Sequence, residues 1–197
     1  MRPTLAILAD APESGAVLPR VAAEIGSAQA TRLYRVLLAR AIAAARGAGF
    51  HWTVWFRPAD AAPMLRRWLG EDTDLRPQAS GTLGARTAAA VAGSNLPAGW
   101  MVLLRPVSGI DAALLRHAAL LLSDAPIVLG AAADGGVYLV GARTAPPPIL
   151  RQLDDAGPGT LAWLRTSLDD AGIPVAELPV RRTITSAADA RAARLLA

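Results

Sequence analysis

Short apolar runs recur along this chain, and a stretch with helical periodicity separates most of them from the next. "TLAILA" (Thr4 to Ala9) ends in the loop signal "DAPESG". "HWTVWF" (His51 to Phe56), "WMVLL" (Trp100 to Leu104), "PIVLG", "VYLVGA" and "IPVAELPV" follow, each too short for a helix and rich in β-branched or aromatic residues. Between the first two runs, Ala30, Leu33, Tyr34, Leu37, Leu38, Ala41, Ile42 and Ala45 keep the i, i+3, i+4 rhythm of one helix face. Ser27 is the expected N-cap of that helix, and Gly47 or Gly49 its C-cap. Further helices are expected over "ADAAPMLRRWLG", with Asp60 as cap and Pro63 in its first turn, and over Gly84 to Gly93 and Ile110 to Leu122. "GTLAWLRTSLDDAG" and the closing "SAADARAARLLA", capped by Ser186, complete the set. Strands alternating with helices of about ten residues or more imply an α/β fold, a mostly parallel sheet with helices on both faces. "VYLVGA" follows "PIVLG" too closely for a crossover, so a small antiparallel hairpin is expected near Val137 to Gly141.

The 197 residues suffice for one domain with a substantial core, and a single domain over 1–197 is expected. At 53% hydrophobic the chain is far from a disordered composition, yet no apolar run approaches the roughly 20 residues of a membrane span. The apolar start before Asp10 is too short for a signal-peptide core, and a cytoplasmic location is the default expectation. With no cysteine, disulfides, thiolate catalysis and zinc–thiolate sites are excluded. All 20 basic residues are Arg and the net charge is +4, but they are scattered, so the footprint of a nucleic-acid binder is absent.

Several chemistries have no motif here. There is no lysine for a P-loop, no G-x-G-x-x-G after the first run and no G-x-S-x-G elbow. His51 and His117 fall on different elements, outside any triad or metal spacing. "EDTD" (Glu71 to Asp74) has D-x-D spacing but follows Gly70, the end of a helix, and reads as a solvated loop. Asp154-Asp155 and Asp169-Asp170 read as solvent-facing charge near helix ends.

Three stretches carry a resemblance. "LADAPESGAVLPRV" matches F-A-K-x-P-x-x-G-x-V-K-T-R-L at Pro12, Gly15, Val17 and Arg20, with Asp10 and Leu18 at the lysine positions. "QASGTLGAR" matches Q-G-x-G-D-L-G-x-R at Gln78, Gly81, Leu83, Gly84 and Arg86, with Thr82 at the acid position. "VLGAAADGGVYLVG" follows V-L-G-P-A-x-D-G-G-Y-Y-L-I-G almost position for position. On these the chain resembles, over nearly its whole length, a glycosyltransferase-A fold family named for arsenosugar biosynthesis. That group was long known as a domain of unknown function and is related to nucleotidyltransferases such as phospholactate guanylyltransferase. The resemblance implies a Rossmann-like nucleotide-diphospho-sugar transferase architecture. It implies a nucleotide or nucleotide sugar as partner, and a homodimer is the candidate assembly. It assigns Asp134 as the catalytic acid and Pro12, Gly15, Arg20, Gln78, Gly81 and Arg86 to the nucleotide; Arg105 joins them as a candidate nucleotide contact on its charge and its place at a strand end.

The family's T-D-C-P-G-L is "RPVSGI" here, with Arg105 and Pro106 at the Thr and Asp positions. Its D-x-D-T-P-E-D is "TITSAAD", with Thr183 and Thr185 at the two acid positions and Asp189 expected to face solvent. Four acids are thus replaced, at Thr82, Pro106, Thr183 and Thr185. The Mg²⁺ or Mn²⁺ expected of the family would be left with Asp134 alone, and such an ion normally needs one or two protein carboxylates. No metal ligand is assigned. Arg105, at the end of the central strand, and Arg20, in the first loop, are cations that can pair with phosphate through two parallel bonds. Three functions fit these observations: a glycosyltransferase with an altered site, a non-catalytic binding homologue, or a metal-independent enzyme in which arginine stands for the cation.

Overall fold

A computed structural model describes residues 3–13, 15–92 and 99–196. Seven strands form one sheet: β1 (Thr4–Asp10), β2 (Trp52–Arg57), β3 (Leu75–Pro77), β4 (Trp100–Leu103), β5 (Ile127–Ala132), β6 (Val137–Ala142) and β7 (Val175–Arg181). Their order is β3-β2-β1-β4-β6-β5-β7. All neighbours are parallel except β6, which runs antiparallel to both β4 and β5. The expected hairpin therefore sits inside the sheet, with β6 wedged between β4 and β5. This explains why "VYLVGA" is buried at every position and does not alternate.

The helices are α1 (Pro19–Ile25), α2 (Ser27–Ala48), α3 (Ala62–Leu69), α4 (Leu83–Ala92), α5 (Ala112–Asp124), α6 (Thr160–Asp170) and α7 (Ala187–Ala192). Strand side chains alternate between two cores. Leu5, Ile7 and Leu103 meet Tyr34, Leu38 and Ile42 of α2 and Leu114, Leu115 and Leu122 of α5. Leu8, Val102 and Leu129 on the other face meet Val91 of α4 and Leu161, Leu164 and Leu168 of α6. Burying one such aliphatic side chain contributes about 1.5–3 kcal/mol, which is how a helix as short as α6 stays docked.

Several local expectations are corrected. Gly26 holds the cap position before α2 and Ser27 is the first helical residue, because the chain leaves α1 only one residue earlier. Asp60 lies in a 3₁₀ turn (Ala59–Ala61), and Ala61 takes the cap position of α3 with no side-chain hydrogen bond. Asp189 is not solvent-facing. Its carboxylate accepts from Thr185 N, Thr185 Oγ1 and Ser186 Oγ at 2.8–3.1 Å, while Ser186 Oγ accepts from Asp189 N. That reciprocal arrangement closes the first turn of α7. Ser186 is the cap the sequence pointed to. The Gly93 end expected for α4 lies outside the described residues.

Candidate functional site

Parallel pairing brings the carboxyl ends of β1, β2 and β4 to one edge of the sheet, the side where open α/β sheets bind ligands. A solvent-open cleft of about 230 Å³ lies there. Its charged and polar lining is Asp10, Tyr34, Arg57, Gln78, Arg86, Arg105 and Asp155.

On one side, Arg57 at the end of β2 bonds Asp10 at the end of β1. Asp10 N donates to the Tyr34 hydroxyl at 2.8 Å, which ties α2 to the same point. Burial pushes the Tyr34 phenol far above its ordinary value, with the Asp10 charge adding to it, so it stays protonated. Gln78 Nε2 donates to Ala9 O and Trp55 O, both at 2.9 Å. This fixes the amide so that its Oε1 accepts from Arg86 Nη1 at 2.8 Å. Among the described residues Arg86 has no carboxylate in ion-pair range and its buried Nε has no acceptor. Burial first, and then the charge of Arg57, pulls its guanidinium below the usual value. Arg86 is carried on α4, whose first turn packs so tightly that a Cβ on Gly84 would lie 2.4 Å from Arg151 O.

The opposite side is closed. Arg105 Nη2 bonds Asp134 Oδ2 at 2.6 Å, and Arg105 Nη1 donates to Ala156 O at 2.7 Å. Asp134 Oδ1 accepts from Gly136 N at 3.0 Å, an Asx turn that shapes the β5–β6 connection. Gly135 there has φ +80°, and a Cβ on Gly136 would lie 2.2 Å from Ala156 O and 2.7 Å from Arg105 Nη1. The glycines of "ADGG" thus serve a left-handed turn and a close approach. Burial raises the Asp134 carboxyl, but hydrogen bonds from Arg105, Gly136 and Thr183 outweigh it and hold the group below its ordinary range. An isolated bridge between Val107 and Thr183 brings Thr183 to this corner.

The sequence-derived residues divide cleanly. Gln78, Arg86 and Arg105 line the cleft, and Asp134 stands directly behind Arg105. Pro12, Gly15, Arg20 and Gly81 are not among its lining residues. Pro12 is buried, and Arg20 is exposed on α1 because "PRVAAEI" continues as a helix where a loop was expected. Of the acid pairs, Asp155 lines the cleft and accepts from Gly157 N at 2.7 Å. Asp74 is bound to Thr53 and Arg76. Both histidines are exposed. Asp10, Tyr34 and Arg57 were not singled out from the sequence. The signal for Arg57 is its place directly after the apolar run "HWTVWF", at the carboxyl end of a strand, where a parallel sheet opens.

A family model described as an uncharacterized protein conserved in bacteria (DUF2064) matches residues 38–154. Among solved structures, a protein of Desulfovibrio desulfuricans G20 described as a nucleotide-diphospho-sugar transferase superposes with a TM-score of 0.78 at 20% identity, over 93% of this chain and 82% of that one. Rv0371C of Mycobacterium tuberculosis H37Rv, solved in complex with manganese, gives 0.62 at 21% identity over 100% and 98%. The 4-diphosphocytidyl-2C-methyl-D-erythritol synthase of Anaerococcus prevotii DSM 20548 gives 0.61 at 14% identity over 98% and 96%. These likenesses establish a shared fold. No curated protein sequence matches the chain.

Proposed function

The chain belongs to the family described as an uncharacterized protein conserved in bacteria (DUF2064), and from that premise we propose that it binds a nucleotide or nucleotide sugar in the cleft between β1, β2 and β4. The observation that carries this reading is Arg86, a half-buried guanidinium facing the cleft without a carboxylate partner and with a buried donor unused. A guanidinium without a carboxylate partner pairs with a phosphate through charge-assisted hydrogen bonds, the strong class of such bonds. The fold shared with a nucleotide-diphospho-sugar transferase and a nucleotide-handling synthase agrees with this ligand class. At about 230 Å³ the cleft is smaller than the roughly 300–1,000 Å³ of an enclosed small-molecule site, so the ligand seats one end there and crosses the open rim. Transfer of a sugar, of the arsenosugar-biosynthesis type that the sequence resembles, is the enzymatic form of this proposal.

One observation favours a second reading, a binding homologue without turnover. Both oxygens of Asp134 are engaged, by Arg105 and by the Gly136 amide, so the acid is poorly placed to activate an acceptor. Calorimetry with UDP-, GDP- and CMP-sugars, with and without Mn²⁺, tests the shared premise. Binding of one class is expected, and no heat from any of them at millimolar concentration sinks both readings. Turnover of a bound nucleotide sugar then selects the enzyme, and binding without turnover selects the homologue.

A further inference from the structure

Mg²⁺ and Mn²⁺ take about six oxygen ligands, and protein sites for them normally include one or two carboxylates with free lone pairs. The resemblance implies such an ion, so the donor set around Asp134 can be tested against it. Each carboxylate at the cleft already has an internal partner on at least one oxygen. Asp10 is bound by Arg57. Asp155 Oδ1 accepts from Gly157 N at 2.7 Å and from Thr160 Oγ1 at 3.2 Å. Asp134 gives one oxygen to Arg105 Nη2 and the other to Gly136 N. Beside Asp134 stands the hydroxyl of Thr183, and Pro106 in the cleft lining has no ligating atom on its ring. Among the described residues, no three of His, Cys, Asp and Glu come together as a metal site.

The guanidinium that takes the place is built in. Arg105 is gripped on two sides, by Asp134 and by the Ala156 carbonyl, and its side chain is one-fifth exposed. The turn is shaped to it, since a Cβ on Gly136 would stand 2.7 Å from Arg105 Nη1. A fixed positive charge 2.6 Å from the one acid of this corner repels a second cation from it. The residues present do not fit a divalent ion.

We infer that Arg105 is the resident cation of this cleft, standing at Asp134 in place of a divalent metal, and that the cleft takes its phosphate-bearing ligand without one. Only the second half rests on the proposed nucleotide reading. The first half is tested with Mn²⁺ alone on the full chain, by the loss of the free-ion electron paramagnetic resonance signal. The wild type is expected to leave the signal unchanged up to about millimolar Mn²⁺. Arg105→Ala combined with Thr183→Asp removes the guanidinium and sets a second carboxylate beside Asp134. This double variant is expected to bind Mn²⁺ at least tenfold more tightly than the wild type. One equivalent of Mn²⁺ bound by the wild type and lost in Asp134→Asn overturns the inference, and that titration decides even if the double variant fails to fold. The second half is tested with inorganic pyrophosphate, expected to bind equally in EDTA and in Mg²⁺ and at least tenfold more weakly to Arg105→Ala. Binding abolished by EDTA, or none in either condition, overturns that half. Failure of every nucleotide sugar to bind, with Mn²⁺ also unbound, removes the proposed function and leaves the first half standing.

Discussion

Arg86 and Arg105 line the same cleft but in opposite electrostatic states. Arg105 is satisfied by a carboxylate at 2.6 Å and a carbonyl at 2.7 Å, and the turn that holds Asp134 is shaped around it. Arg86 is held only by the amide oxygen of Gln78, with a buried nitrogen left over. A guanidinium paired with an internal carboxylate contributes to the fold. One held in place but unpaired is poised for an anion from outside. One corner, β4 to the β5–β6 turn, has its cation built into the fold, and the other, β2 to α4, has its cation held without a carboxylate.

The largest effect that tests this division is expected at Gly136. Gly136→Ala forces a Cβ to 2.2 Å from Ala156 O, so urea unfolding is expected to show a loss of about 3 kcal/mol or more. Wild-type stability would mean the turn is not built around Arg105. Next comes Arg105→Ala, which strands Asp134 with a side chain only 21% exposed. The expected loss is about 2–3 kcal/mol, reduced from the fully buried case by that exposure. Arg86→Ala is expected to stay within about 0.5 kcal/mol of wild type, since the lost Gln78 hydrogen bond is offset by removal of the buried, unpartnered Nε. Equal losses in the two variants would erase the distinction.

A smaller effect is expected in pH dependence. The folded Asp134 carboxyl lies below its unfolded value, so its contribution to stability is full above that unfolded value, about pH 4. It is lost as pH falls through the folded value. The stability gap between wild type and Asp134→Asn should therefore be widest near neutrality and close below about pH 4. A gap constant from pH 7 to 3 would contradict the pairing. The smallest effect is expected at Arg20. It is exposed on α1 and does not line the cleft, so Arg20→Ala should change nucleotide affinity less than twofold.

Much of the fold was legible because the strands of a covered sheet must be continuous apolar runs. "TLAILA", "HWTVWF", "WMVLL" and the two runs around "ADGG" all became strands. Two elements were missed. β3 has three residues on the sheet's edge, too few for a period. α1 is a seven-residue helix that opens with Pro19 and buries only Val21, so it has no apolar stripe. The site was half legible. Gln78, Arg86 and Arg105 were found through motif positions, and the structure places all three on one cleft. The pairing of Arg105 with Asp134 is a contact across 29 positions. It depends on β6 lying between β4 and β5, and spacing along the chain does not carry that. Nor does spacing show that Gln78 is spent on Ala9 O and Trp55 O and so orients Arg86.

The most direct measurement is a calorimetric titration of wild type and Arg86→Ala with the same nucleoside diphosphate in EDTA, each protein first shown to unfold at the same denaturant concentration. Loss of a charge-assisted phosphate contact predicts at least tenfold weaker binding by Arg86→Ala, about 1.4 kcal/mol, at unchanged stability. Binding by Arg86→Ala as tight as the wild type would contradict the account.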